Sequence, residues 1–136
     1  MDKKTINKAM IKDFLIINFT GKNNSIGLRV NSSFFLKKLQ TNIRNNESFV
    51  NNIFEFVKQK KAKIDKNFSI IVNLGPGSFS SLRSSLSIAK GLKISSGSSI
   101  YGYKDTNLTE FKLKNIEFLI KNNLLENKLI KPVYLS

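Results

Sequence analysis

The segment NLGPGSFSSLRSSLSIAKGL, residues 73–92, has the residue types of an anion-binding turn at the start of a helix. Gly75, Pro76 and Gly77 allow a tight turn, and Ser78 can cap the helix that follows. Free backbone N–H groups at a helix start favour a negative charge such as a phosphate. The spacing fits neither phosphate-loop motif, because no lysine follows the second glycine and G-x-G-x-x-G lacks its third glycine. Phosphate binding and a plain strand-to-helix turn therefore both stay open.

Catalytic side chains are scarce in this sequence. It contains no histidine and no cysteine, which removes the usual general base near neutral pH, the thiol nucleophile and the commonest metal ligands. A metal-assisted phosphotransfer site would need a carboxylate at the end of the first predicted strand, where the chain has Asn18. We therefore predict no catalytic residue, no bound metal and no cofactor. A hydrolase of nucleotides or peptides is the alternative that this composition disfavours.

The net charge of +14, from 23 basic and 9 acidic residues, indicates an acidic partner, either a nucleic acid or a protein surface. The lysines are spread among many asparagines and isoleucines, so a compositional bias of the whole chain is an explanation of comparable weight. If RNA binds, its predicted contacts are Lys58, Lys60, Lys61, Lys90 and Lys93.

The hydrophobic pattern predicts one α/β domain, a mixed sheet with packed helices in the order β-β-β-α-β-α-β-α. Residues 1–12 are predicted as a polar extension, residues 13–104 as the α/β domain, and residues 105–136 as a helical segment with an extended end. The first apolar run is too short for a signal peptide or a membrane span, so we expect a cytoplasmic protein without a membrane partner.

Each of the two central helices is predicted to pack on two sides, one against the sheet and one against a neighbour. Apolar residues of the first helix spread over roughly 160°, which is wider than the stripe of about 100° that one sheet needs. The second helix has small residues opposite its apolar face, and these admit a neighbouring helix. Its predicted sheet-facing residues are Phe79, Leu82, Leu86 and Ala89. Either the third helical segment or a second polypeptide would cover the outer faces. The predicted partner interface comprises Phe49, Val50, Ile53, Phe54, Val57, Ser80, Ser84, Ser87, Ile88 and Gly91.

The run GPGSFSSLRSSLSIAKGL resembles the signature of the TsaB (YeaZ) family, G-P-G-S-F-T-G-L-R followed by a glycine and then A-K-G. Ser81 and Ser85 replace the two interior glycines, and the terminal KPVYLS is similar to the family's closing P-x-Y-L-R. The matching residues are Gly75, Pro76, Gly77, Ser78, Phe79, Leu82, Arg83, Ala89, Lys90 and Gly91. The resemblance covers residues 11–103 and the last few residues. Family members carry a second domain of similar fold, of which only a helix and the terminal segment would remain here.

This resemblance implies a single ribonuclease H-like domain with the fold of actin, sugar kinases and the Hsp70 ATPase. It also implies a non-catalytic partner of TsaD, the subunit that transfers threonylcarbamoyl to adenosine 37 of tRNAs reading ANN codons. TsaE, an ATPase, belongs to the same complex, and tRNA would be reached through that complex. The family contacts TsaD through two helices of its N-terminal domain, and a homodimer through the same helices is a further expectation. The alternative is a small basic RNA-binding module that acts on tRNA.

The sequence departs from the family pattern at two positions, and both are positions that matter for nucleotide binding rather than for partner binding. Asn18 stands where the resemblance places the aspartate of the family's D-T-S turn, with Thr20 at the serine position. Asn46 stands where the family has a histidine before the first helix. The resemblance therefore implies that nucleotide binding is weakened, whereas the partner role is untouched.

Overall fold

The computed structural model describes residues 11–39 and 46–127. The elements occur in the predicted order, and the α/β class is confirmed. The strands are β1 (Phe14–Asn18), β2 (Ser25–Val30), β3 (Ser33–Lys38), β4 (Ser69–Asn73) and β5 (Ser99–Tyr103), and the helices are α1 (Asn46–Gln59), α2 (Phe79–Ser96) and α3 (Leu113–Lys121). The predicted extension up to residue 10 and the closing KPVYLS lie outside the described residues.

The five strands form one mixed sheet in the order β3-β2-β1-β4-β5. β1, β2 and β3 are antiparallel neighbours, whereas β4 runs parallel to both β1 and β5 and is reached through helices. The sequences of β1 and β4, FLIIN and SIIVN, are almost continuously apolar because both faces of the central sheet are covered. Parallel pairing brings the ends of β1, β4 and β5 to one edge of the sheet.

The helices cover opposite faces of this sheet. α1 and α2 pack on one face, over a core that includes Ile53, Ile70 and Ala89. α3 packs on the other face through Ile116 and its neighbours. An ion pair of 2.8 Å between Arg29 Nη1 and Glu117 Oε2 joins β2 to α3. Since α3 lies across the sheet from α1 and α2, α3 itself does not cover their outer faces.

The buried face of α2 differs from the predicted one at its first residue. Phe79 was expected to face the sheet, but its side chain is 52% exposed and the Arg83 guanidinium carbon lies 5.6 Å from the ring centroid. Ser85, which is 1% exposed, takes a sheet-facing position because its hydroxyl donates to the carbonyl oxygen of Leu82 at 3.0 Å. The packed face of α2 therefore includes Ser85 and leaves Phe79 exposed.

Candidate functional site: the glycine turn and an interhelical groove

The glycine turn packs against the turn between β1 and β2. Gly75 adopts a φ of +94°, which side chains rarely allow. A Cβ added to Gly77 would lie 2.8 Å from Thr20 Cβ and 2.9 Å from the Thr20 carbonyl oxygen. The Ser78 N–H donates to the same carbonyl at 2.9 Å. Protein backbone therefore fills the space in front of Gly77, which favours the plain strand-to-helix turn over a phosphate loop.

A hydrogen-bonded polar cluster occupies the edge of the sheet where a phosphotransfer site would need carboxylates. Asn73 Nδ2 donates to Asn18 Oδ1 at 2.6 Å and to Asp105 Oδ1 at 3.0 Å. The Tyr103 hydroxyl donates to Asn18 Oδ1 at 3.1 Å, and the Gly75 N–H donates to Asn73 Oδ1 at 2.7 Å. These amides are thereby engaged with the chain itself. Among the described residues, no group of three acidic, histidine or cysteine side chains could hold a metal ion.

Sequence reasoning missed Asp105 as a member of this cluster. Asp105 follows β5. Because β5 runs parallel to β4, Asp105 lies within hydrogen-bond distance of Asn73, the last residue of β4. The available signal was its place two residues after the last aromatic residue of a predicted strand. The sequence alone does not show that Asp105 lies beside the end of β4, because this proximity depends on the order of the strands in the sheet.

Burial raises the pKa of the Tyr103 hydroxyl well above its ordinary value of 10.0, and the nearby Asp105 charge adds to the rise. The folded state therefore favours the neutral phenol, and this stabilisation is present below about pH 10 and lost as the pH rises further. We expect urea unfolding to show stability falling by up to about 1.4 kcal/mol per pH unit above that pH. Tyr103→Phe should flatten this slope, while losing about 1 kcal/mol at neutral pH with the hydrogen bond. An alkaline slope that the substitution leaves unchanged would contradict this assignment.

An apolar groove of about 290 Å³ lies between α1 and α2 and opens to solvent. Its lining residues are Val50, Phe54, Ser87, Ile88, Gly91, Leu92 and Ser95. Phe54 is 49% exposed, and a Cβ built on Gly91 would meet no atom within 4 Å. Within residues 11–39 and 46–127, no segment of the chain fills this space. An exposed aromatic ring beside small residues leaves room for the side chains of another helix.

The groove contains only part of the predicted partner interface. Val50, Phe54, Ser87, Ile88 and Gly91 line it, and Ile88 is 9% exposed. Phe49, Ile53, Val57 and Ser84 are buried within the chain, and Ser80 is exposed but lies outside the groove lining. These four residues are covered by the chain itself, and contact of the predicted interface residues with a partner stays a prediction.

The burial of Phe49 and Ile53 on α1 has a physical reason. Phe49 reaches back to the sheet, where its ring centroid lies 4.2 Å from that of Phe19, and Ile53 is 0% exposed beneath the helix. A large aromatic residue at the margin of the stripe can therefore belong to the sheet core. Helical periodicity gives the angular position of an apolar residue but not the depth to which its side chain is covered.

The lysines predicted as RNA contacts lie in α1, in α2 and just beyond α1. Lys58 and Lys93 belong to the last turns of α1 and α2, where a positive charge stabilises the helix dipole. Lys60 is half-buried, with its Nζ 4.4 Å from the centroid of the Phe35 ring. Lys61 and Lys90 are exposed. Contact of these residues with RNA stays a prediction.

None of the helices in the described part of the chain is both long enough and apolar enough to span a membrane.

Two solved structures share the fold of this chain. One is YeaZ from Pseudomonas aeruginosa, and the other is an uncharacterized protein with similarity to peptidase YEAZ from Pseudomonas aeruginosa. Each superposes with a TM-score of 0.64 at 12% identity over 72% of this chain. The matches cover 46% and 45% of the two relatives, so the chain spans about half their length. No model of a protein family and no curated protein sequence matches the chain. The likeness confirms the predicted α/β fold, and it confirms the resemblance to YeaZ at the level of the fold.

Proposed function

We propose that this chain is a non-catalytic partner subunit of a TsaD-like protein, in a cytoplasmic complex that makes N6-threonylcarbamoyladenosine at position 37 of tRNAs reading ANN codons. The observation that carries the proposal is the apolar groove between α1 and α2, which residues 11–39 and 46–127 leave uncovered, with Phe54 at its side. The YeaZ-like fold and the signature residues from Gly75 to Arg83 support the choice of partner.

The shape of the groove suits a helical partner. Ser87, Gly91 and Ser95 follow one another at intervals of four residues, so they form one row of small side chains along α2. The i±4 ridge of a second helix can pack closely along such a row. Phe54 and Val50 of α1 would close the contact from the other side. Burial of this apolar surface would contribute about 25 cal/mol for each Å² removed from water.

The proposal assigns no chemistry to this chain. The backbone of Thr20 occupies the space in front of Gly77 in the glycine turn. The polar cluster at the sheet edge contains one carboxylate, that of Asp105. Threonylcarbamoyl transfer would therefore take place on the TsaD-like partner. A TsaE-like ATPase and tRNA would join through the complex. In the absence of the partner, a second copy of the chain would be expected to occupy the same groove.

Co-expression of the chain with the TsaD-like protein of the same organism tests the proposal. We expect an equimolar complex in size-exclusion chromatography with light scattering, and conversion of any homodimer into that complex. We also expect a strain that lacks the chain to lose the modification of adenosine 37, measured by mass spectrometry of digested tRNA. Separate elution of the two proteins together with unchanged tRNA modification would contradict the proposal.

A further inference from the structure

A group of four lysines lies along the edge of the sheet where β1, β4 and β5 begin. This group, called here the basic edge, consists of Lys12, Lys61, Lys63 and Lys66, all exposed. We propose that the basic edge binds the phosphate backbone of a nucleic acid. The site is separate from the α1–α2 groove, and the proposal goes beyond the partner role of that groove.

The fold brings the basic edge together from two distant segments. Lys12 precedes β1, whereas the other three lysines lie in the connection between α1 and β4. Because β1 and β4 are parallel neighbours, the residues before both strands meet at one edge. Lys12 and Lys66 line a cleft of about 320 Å³, and Lys61 and Lys63 line a second cleft of about 260 Å³. The two clefts adjoin, since Asn67 and Phe68 line both.

The described part of the chain neutralises only part of the positive charge of the basic edge. Two carboxylates, those of Asp13 and Asp65, line the second cleft. Asp13 Oδ1 accepts the Asn31 N–H at 3.3 Å, and Asp65 Oδ1 accepts the Asn67 N–H at 2.9 Å. Among residues 11–39 and 46–127, the ion pairs are Arg29–Glu117 and Lys112–Glu110, so none involves a lysine of the basic edge.

Helix dipoles do not account for these lysines. A lysine in the last turn of a helix is explained by the negative end of the dipole, as for Lys58 and Lys93. Lys12, Lys63 and Lys66 lie outside the helices, in segments that lead into strands. Their convergence on adjoining clefts offers a positively charged surface to an external anion.

The arrangement fits a chain of phosphates better than other anionic partners. Lysine is a point charge on a flexible stem, and a row of separate lysines suits charges that repeat along a polymer. Ser99 and Asn67 are exposed and line the first cleft, where their hydroxyl and amide groups can donate to phosphate oxygens. The exposed large apolar residues of the described chain do not line these clefts, so neither membrane insertion nor base stacking is provided. The expected contact is with the backbone and is independent of base sequence.

Salt-dependent binding of the whole chain to a labelled tRNA transcript tests this site. Fluorescence anisotropy would be measured from about 50 to about 200 mM salt, with a DNA duplex of similar length as a second probe. Four phosphate contacts predict a log–log slope of about −3. The triple variant Lys12→Gln, Lys63→Gln, Lys66→Gln should reduce the slope to about −1 and weaken binding at low salt by at least about tenfold. Equal affinity for both probes would identify the backbone alone as the ligand, and tighter tRNA binding would identify folded RNA.

The matched control removes the same charge elsewhere, through Lys104→Gln, Lys114→Gln and Lys121→Gln, at three exposed positions. This control should keep the slope of the unaltered chain. Equal weakening in both triple variants would overturn the proposal, because net charge would then explain the binding. Absence of salt-dependent binding in the unaltered chain, or stronger binding to phosphatidylserine vesicles than to either nucleic acid, would also overturn it. The basic-edge variant should still co-elute with the TsaD-like protein, so failure here is distinguishable from failure of the partner role.

Discussion

Gly91→Trp is expected to abolish co-elution of this chain with the proposed TsaD-like partner, with an affinity loss of at least about 100-fold, or about 2.7 kcal/mol. The indole would occupy the groove beside Phe54 and prevent the close approach of a partner helix. The isolated chain should stay folded, because a Cβ at Gly91 meets no atom within 4 Å. Replacing a glycine inside a helix also adds a few tenths of a kcal/mol of helix stability, up to about 1 kcal/mol. Chromatography and titration calorimetry with the purified partner measure the effect.

The neighbouring residue provides the matched control for this substitution. Lys90 is exposed on the same helix and does not line the groove. Lys90→Trp therefore adds the same side chain one position away and should bind the partner as the unaltered chain does. If both tryptophan variants bind equally well, the groove is not the interface. Ile53→Asp is not a usable interface test, because the residue is 0% exposed and a buried unpaired charge would unfold the chain.

Gly77→Val is expected to destabilise the chain by about 3 kcal/mol, since overpacking of a tight contact has effects of this size. The first atom of the new side chain would meet Thr20 Cβ at 2.8 Å and the Thr20 backbone oxygen at 2.9 Å. Backbone atoms at a turn have little freedom to move away. The hydrogen bond from the Ser78 N–H to the Thr20 carbonyl would be strained at the same time. Urea unfolding followed by circular dichroism measures the loss.

Gly91→Ala is the control for this second prediction, because it adds a Cβ in open space and should raise stability by up to about 1 kcal/mol. The comparison also separates the two interpretations of the glycine turn. A glycine needed for phosphate binding would tolerate valine in the free protein and lose only nucleotide binding. A glycine needed for packing against Thr20 loses stability whether or not nucleotide is present. If Gly77→Val is as stable as the unaltered chain, the phosphate-binding interpretation of the glycine turn would be favoured instead.

The element order and the fold class were accessible from the sequence because the signals that carry them are short-range. Apolar runs predict β1 and β4, and Gly75 with Gly77 marks the turn between β4 and α2. The scarcity of catalytic groups is likewise a property of composition. The small residues at 87 and 91 indicated the side of α2 that now lines the groove.

Tertiary structure alone decided which apolar residues stay uncovered and which polar residues meet. The hydrophobic patterns of α1 and α3 do not show that these helices lie on opposite faces of the sheet. Because α3 lies on the other face, it does not cover the groove between α1 and α2. Phe49 and Phe54 have the same hydrophobic character, yet one is packed on Phe19 and the other is half exposed. The cluster of Asn18 with Asp105 and the basic edge arise from parallel strand pairing between distant segments. Periodicity describes the faces of each element, whereas the order of strands in the sheet determines what each face and each strand end will touch.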